Sequence, residues 1–158
     1  MSESERAYER ALSYLEKRDR TELEVSRKLA EAGFSETVID STLERLKEAR
    51  LVDDEDYAAR YLEALKAKGR GRLRISAEMR RKGLSEELVR NTLDDGLDRE
   101  DEREMAVSKA RRMMEEIPEG TDPRKAAAKV NRRLASQGFT YEVIGDAMRR
   151  LRIEEEED

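Results

Sequence analysis

Residues 27–46 read RKLAEAGFSETVIDSTLERL, and the same pattern returns as AEMRRKGLSEELVRNTLDDG at 77–96 and NRRLASQGFTYEVIGDAMRRL at 131–151. With Gly33, Gly83 and Gly138 in register, Leu29, Met79 and Leu134 fall four residues before the glycine. Phe34, Leu84 and Phe139 follow it, and Ser35, Ser85 and Thr140 come next. The register runs on through Val38, Leu88 and Val143, then Ile39, Val89 and Ile144, then Leu43, Leu93 and Met148. A glycine ends one helix in the left-handed conformation, an apolar residue packs over the turn, and a hydroxyl caps the next helix, so each copy reads as helix-turn-helix.

A third helix precedes each pair, in YERALSYLEK (8–17), DYAARYLEALKA (56–67) and EMAVSKARRMMEEI (104–117). Leu12 and Leu62 stand the same distance before their glycines, as do Leu15 and Leu65. Repeats of about 50 residues built this way stack into arrays. The expected fold is therefore all-α, with three tandem three-helix repeats forming an elongated curved solenoid. The repeats span 1–52, 53–98 (central and basic) and 99–153, and residues 154–158 form an acidic tail that is expected to fray. Thr21 and Glu24 have the spacing of a capping box, Asp53 precedes the helix of Tyr57 and Leu62, and Asp122 with Pro123 starts another helix.

Composition agrees with a thin fold. Of 158 residues, 37% are hydrophobic, 4% aromatic and 45% charged, too little apolar material for one deep core. There is no cysteine and no histidine, which removes disulfides, the usual structural zinc site and the commonest general base. No nucleophile, base and orienting group recur at interpretable spacing, so the expectation is no enzyme, no cofactor and no metal. There is no membrane-length apolar run and no secretion signal at the N-terminus, which points to a soluble, cytoplasmic monomer.

Charge is gathered in blocks. The chain has a formal net charge of −5, yet residues 66–83 carry +7 between neighbours of −4 (53–65) and −6 (84–105). Lys66, Lys68, Arg70, Arg72, Arg74, Arg80, Arg81 and Lys82 supply the positive block. On a helical wheel Ile75 and Met79 share one face, with Arg74 and Arg81 nearly opposite and Arg80 beside them. A run made only for solubility alternates in sign, so this block reads as a surface for phosphate or an acidic protein. Asp53, Asp54, Glu55 and Asp56 lack the spaced ligands and glycine of a calcium loop and read as helix cap plus acidic contact surface. GRG at 69–71 reads as a flexible turn, Met105, Met113 and Met114 as core, and Tyr57 and Tyr61 as partly buried.

These residues resemble a known family. LVDDEDYAARYLEALKAKGRGRLRISAEMRRKGLS (51–85) is similar to the central signature of the bacterial RecX regulators. ALSYLEKRDRTELEVSRKLAEAGFSETVIDSTLERL (11–46) resembles their first repeat and VNRRLASQGFTYEVIGDAMRR (130–150) their last. Two departures stand out: Met79 replaces an expected leucine, and Arg50 stands where a glycine is common. The resemblance implies a modulator of RecA that lies in the helical groove of the RecA filament on single-stranded DNA, bridges protomers, and suppresses ATP hydrolysis, strand exchange and co-protease activity. It also implies direct single- or double-stranded DNA binding for some members. Two other classes fit the repeat pattern, a stand-alone helix-turn-helix DNA-binding protein and a helical-repeat adaptor. The acidic segments beside the basic one oppose a lone duplex binder.

Overall fold

The computed structural model describes residues 1–157, all of whose regular structure is helical. The helices are α1 (Glu3–Lys17), α2 (Glu22–Glu31), α3 (Glu36–Glu48), α4 (Asp54–Ala67), α5 (Arg72–Arg81), α6 (Glu86–Gly96), α7 (Arg99–Glu116), α8 (Pro123–Ser136) and α9 (Tyr141–Glu157). They follow the expected order of tandem three-helix repeats. The expected acidic tail differs: α9 carries on through Glu157, and Glu154 pairs with Arg111, which extends the helix where fraying is expected. Asp158 of that tail lies outside the described residues.

The turn chemistry sets the helix ends. Gly33, Gly83 and Gly138 have φ of 91°, 89° and 96°, the left-handed region where a side chain costs energy. Past each glycine an amide reaches back five residues to a carbonyl, from Phe34 to Leu29, Leu84 to Met79 and Phe139 to Leu134, each at 3.2 Å. These bonds satisfy orphan carbonyls at the helix C-terminus. The next residue caps the following helix: Ser35 Oγ accepts from Val38 N–H, Ser85 Oγ from Leu88 N–H and Thr140 Oγ1 from Val143 N–H. Arg50 occupies the same place after α3 with φ 56°, and Leu51 N–H reaches Leu46 C=O at 2.9 Å. Here an arginine sits where the geometry favours glycine.

Two compact units divide the chain, Met1–Tyr61 with Glu78–Arg90, and Leu62–Ala77 with Asn91 onward. Each helix of the central repeat contributes one part to each unit. In the first unit Ala7 and Ala11 of α1 are fully buried against Val25, Leu29, Ile39 and Leu46, with Leu12, Leu15 and Phe34 packed around them. In the second, α7 lies along α9, joining Ala106, Ala110 and Met113 to Val130, Leu134, Phe139, Val143 and Ala147. Leu29, Met79 and Leu134 are all at 0% exposure, and a fully buried side chain of this size contributes about 1.5–3 kcal/mol. Met113 is buried with Met105 and Met114 packed on the same core.

Candidate functional site

Helix α5 presents its faces as the wheel predicts. Ile75 and Met79 are buried, and Arg74, Arg80 and Arg81 are exposed. The helix has no capping side chain of its own, because Arg70 and Gly71 precede it. Its first amides are instead met by residues distant in sequence. Arg72 N–H donates to Glu102 Oε2 at 2.7 Å, Gly71 N–H to Gln137 C=O at 2.8 Å and Leu73 N–H to Gly138 C=O at 2.9 Å. Glu102 is only 4% exposed, so its carboxylate stabilises the positive end of α5 from a dry setting. A Cβ at Gly71 would collide with the backbone of Gly138 and Phe139. The GRG turn, expected to be flexible, is therefore a packed junction, and its second glycine is there for close approach.

Within the second unit the predicted cations divide by use. Lys66 Nζ caps the end of α6 by donating to Gly96 C=O at 2.8 Å, and it also meets Glu63 of its own helix. Arg72 pairs with Asp94 at 2.7 Å and its side chain is 29% exposed. Arg70 is half-buried, Lys68 is exposed, and exposed Arg74 reaches Ser136 C=O at 3.4 Å. Positive charge also comes from outside the predicted block. The Lys109 stem crosses Gly69 where a Cβ would stand, and its Nζ donates to Gln137 Oε1. Burial, then Arg70, Arg112 and Arg133, push the Lys109 ammonium below the ordinary lysine range. The sequence does not group these four cations because they come from three separate segments, the turn before α5 (Arg70), α7 (Lys109 and Arg112) and α8 (Arg133); the only trace is the net charge of +5 over 106–153.

In the first unit Arg80 pairs with Glu86 at 2.6 Å, and Lys82 lies 4.0 Å from Glu24 and 5.8 Å from the centre of the Tyr61 ring. The Lys82 carbonyl accepts from buried Thr21 Oγ1 at 2.6 Å, so the Thr21–Glu24 capping box also ties the start of α2 to the end of α5. Tyr57 and Tyr61 are partly buried, 5.7 Å apart, and burial holds both phenols above the usual tyrosine range.

The acidic set is mostly structural in placement. Asp53 Oδ1 accepts from Asp56 N–H at 3.1 Å, the cap expected for α4. Asp54 Oδ1 accepts from Glu22 N–H at 2.9 Å, capping α2. Burial pushes the Asp54 carboxyl up to about 6, and the neighbouring Glu22 carboxylate pushes the same way against the stabilising Glu22 N–H. Asp56 pairs with Arg60, and Glu55 is exposed. Among the described residues no group of three acids is placed to hold a metal ion, and no helix is long and apolar enough to cross a membrane.

Comparison with known proteins adds the family context. Residues 7–46 match the model of the RecX first three-helix domain, and residues 53–93 that of the RecX second three-helix domain. The chain is 36% identical over 142 residues to the regulatory protein RecX of Clostridium perfringens strain 13, covering 89% of this chain and 66% of that one. It is 33% identical over 147 residues to the regulatory protein RecX of Mycobacterium sp. strain JLS, covering 89% and 80%. The chain thus spans about two thirds of the clostridial relative and four fifths of the mycobacterial one. The crystal structure of RecX from Lactobacillus salivarius superposes with a TM-score of 0.87 at 23% identity over 96% of this chain and 97% of that one, a likeness of fold. A second RecX crystal structure gives 0.78 at 28% identity, covering 89% and 70%.

Proposed function

The chain belongs to the RecX family of regulatory proteins, which is not a family of enzymes, and from that membership we propose that it regulates RecA by lying in the helical groove of the RecA filament on single-stranded DNA. In that position it inhibits ATP hydrolysis, strand exchange and co-protease activity, acting as a monomer. The observation that carries this reading is the division of labour on α5: Ile75 and Met79 hold the fold while Arg74 and Arg81 face solvent. Side chains that are exposed, cationic and unnecessary to the core suit an acidic or phosphate-bearing wall. Tandem repeats along a repeating partner add avidity to individually weak contacts. Asp53, Asp54, Glu55 and Asp56 supply an acidic contact surface in the same reading, with exposed Glu55 and Asp56 the members free of capping duty.

The test is ATP hydrolysis by RecA on single-stranded DNA, with this protein titrated in. Suppression is expected well below one copy per RecA. Arg74→Glu with Arg81→Glu should abolish it while far-ultraviolet circular dichroism stays unchanged, because each lost charge-assisted contact is worth about 1.5–3 kcal/mol. Arg72 is left out, since a glutamate there would face Asp94 and damage the fold. A matched double reversal at Arg10 and Lys17 of α1 is the control and should change little. Full suppression by the folded α5 variant would refute the role of this helix.

A second reading, direct DNA binding, is favoured by one observation, the Lys109, Arg70, Arg112 and Arg133 group. Its phosphate contacts would give an affinity for labelled oligonucleotide, without RecA, that falls steeply with salt.

A further inference from the structure

Between α8 and α9 the second unit holds an open groove of about 710 Å³. Its floor is apolar, made by Ala135 of α8 and by Ile144 and Met148 of α9; Ile144 belongs to the buried core, so the floor is rigidly backed. Arg132, Arg149 and Arg152 line the same groove. Asp146 meets Arg149 at 3.5 Å but is shared with Arg103 at 3.1 Å and Arg150 at 3.4 Å. Glu142, the acid among the lining residues, faces Arg103 at 3.9 Å. The local acids are therefore divided among Arg103, Arg149 and Arg150, and the groove keeps a cationic rim.

Tyr141 opens α9 at the edge of this groove and is 94% exposed. A tyrosine usually buries its ring, and this one adds nothing to the core. Tyrosine, methionine and arginine are the side chains enriched at the centres of protein interfaces, whereas lysine is depleted there. The groove is lined by that set, with no lysine. We propose that it docks an acidic peptide segment of a protein partner, whose apolar side chain rests on Ala135, Ile144 and Met148 while its carboxylates meet Arg132, Arg149 and Arg152. Guanidinium forks pair with carboxylates in two parallel hydrogen bonds, which gives orientation as well as charge. The floor is aliphatic, so a base could stack only on Tyr141 at the rim, and the oligothymidylate arm of the experiment tests that occupant directly. The proposal does not depend on the basic face of α5, which lies on another helix.

The experiment uses the full chain and fluorescence anisotropy of a short labelled peptide of glutamates with two leucines one helical turn apart. The acidic peptide should bind, and Arg149→Glu with Arg152→Glu should weaken it about tenfold or more, equivalent to at least ~1.4 kcal/mol. Tyr141→Ala removes no core packing and should also weaken binding severalfold with the circular dichroism unchanged. Absence of binding, equal binding of the lysine counterpart, or binding indifferent to both variants would overturn the proposal. Oligothymidylate that binds in place of the peptide and loses affinity in the same variants would assign the groove to nucleic acid. Self-association of the free chain, abolished by those substitutions, would assign it to the acidic end of a second copy.

Discussion

Glu102 is the residue whose removal tests how the basic segment is held. It sits in the first turns of α7 at 4% exposure, and its Oε2 takes the first amide of α5 at 2.7 Å. Glu102→Ala deletes a charge-assisted hydrogen bond of about 1.5–3 kcal/mol and leaves the Arg72 amide without its acceptor. Loss of negative charge at a helix N-terminus adds about 0.3–1 kcal/mol, so the total is roughly 2–4 kcal/mol. Glu102→Gln keeps an oxygen acceptor and relieves the burial of a charge, so it should cost only about 1 kcal/mol. Urea unfolding followed by circular dichroism measures both. Native-state hydrogen exchange at Arg72 locates the effect, since that amide should lose protection in Glu102→Ala and keep most of it in Glu102→Gln. If the two variants cost the same, or if Arg72 exchange is unchanged in Glu102→Ala, the carboxylate does not cap α5 and the argument fails.

Arg50→Gly should stabilise the chain by about 0.5–1 kcal/mol in thermal or urea melts, because relief of left-handed strain at φ 56° outweighs the added freedom of the unfolded glycine. A loss of stability would show that the arginine side chain matters more than its backbone. Asp54 carries a pH dependence of definite sign. Its carboxyl sits near 6 when folded against 3.8 ordinarily, so the folded chain holds the proton more tightly, and stability is present at low pH and lost as pH rises between about 4 and 6. Asp54→Asn keeps an oxygen for the Glu22 amide and should flatten that slope and raise stability at pH 7.5, by no more than about 1 kcal/mol after allowance for solvent screening of a half-buried group. An unchanged slope in Asp54→Asn would place the titration elsewhere.

What the sequence reveals is what lies close along the chain. The left-handed glycines, the hydroxyl caps two residues later, the capping box at Thr21 and the buried stripe of Ile75 and Met79 all concern partners within a few residues, where helical geometry fixes distance in advance. The charge state of the basic surface is a different kind of property. Arg72 belongs to the block by sequence, yet its charge is engaged by Asp94, 22 positions away, and Lys66 is engaged by the end of α6, 30 positions away. Lys109 and Arg133 lie far outside the block, yet their charges act on the same surface as Arg70.

Glycine makes the same point. Gly33 and Gly71 look alike as letters, but a Cβ at Gly33 would meet nothing within 4 Å, so that position is chosen for its φ. At Gly71 a Cβ would strike the Gly138–Phe139 backbone, so that position is chosen for room. Local sequence distinguishes the two only when a second helix is already known to be there. A turn that reads as freedom is thus a place where the third repeat grips the second, and Arg74 owes its outward aim to contacts made more than 60 residues later. Arg74 is therefore positioned by the third repeat as well as by its own helix. Loss of suppression on deleting that repeat would not by itself show that the repeat touches RecA; only substitutions on its exposed face, such as those at Tyr141, Arg149 and Arg152, separate contact from support.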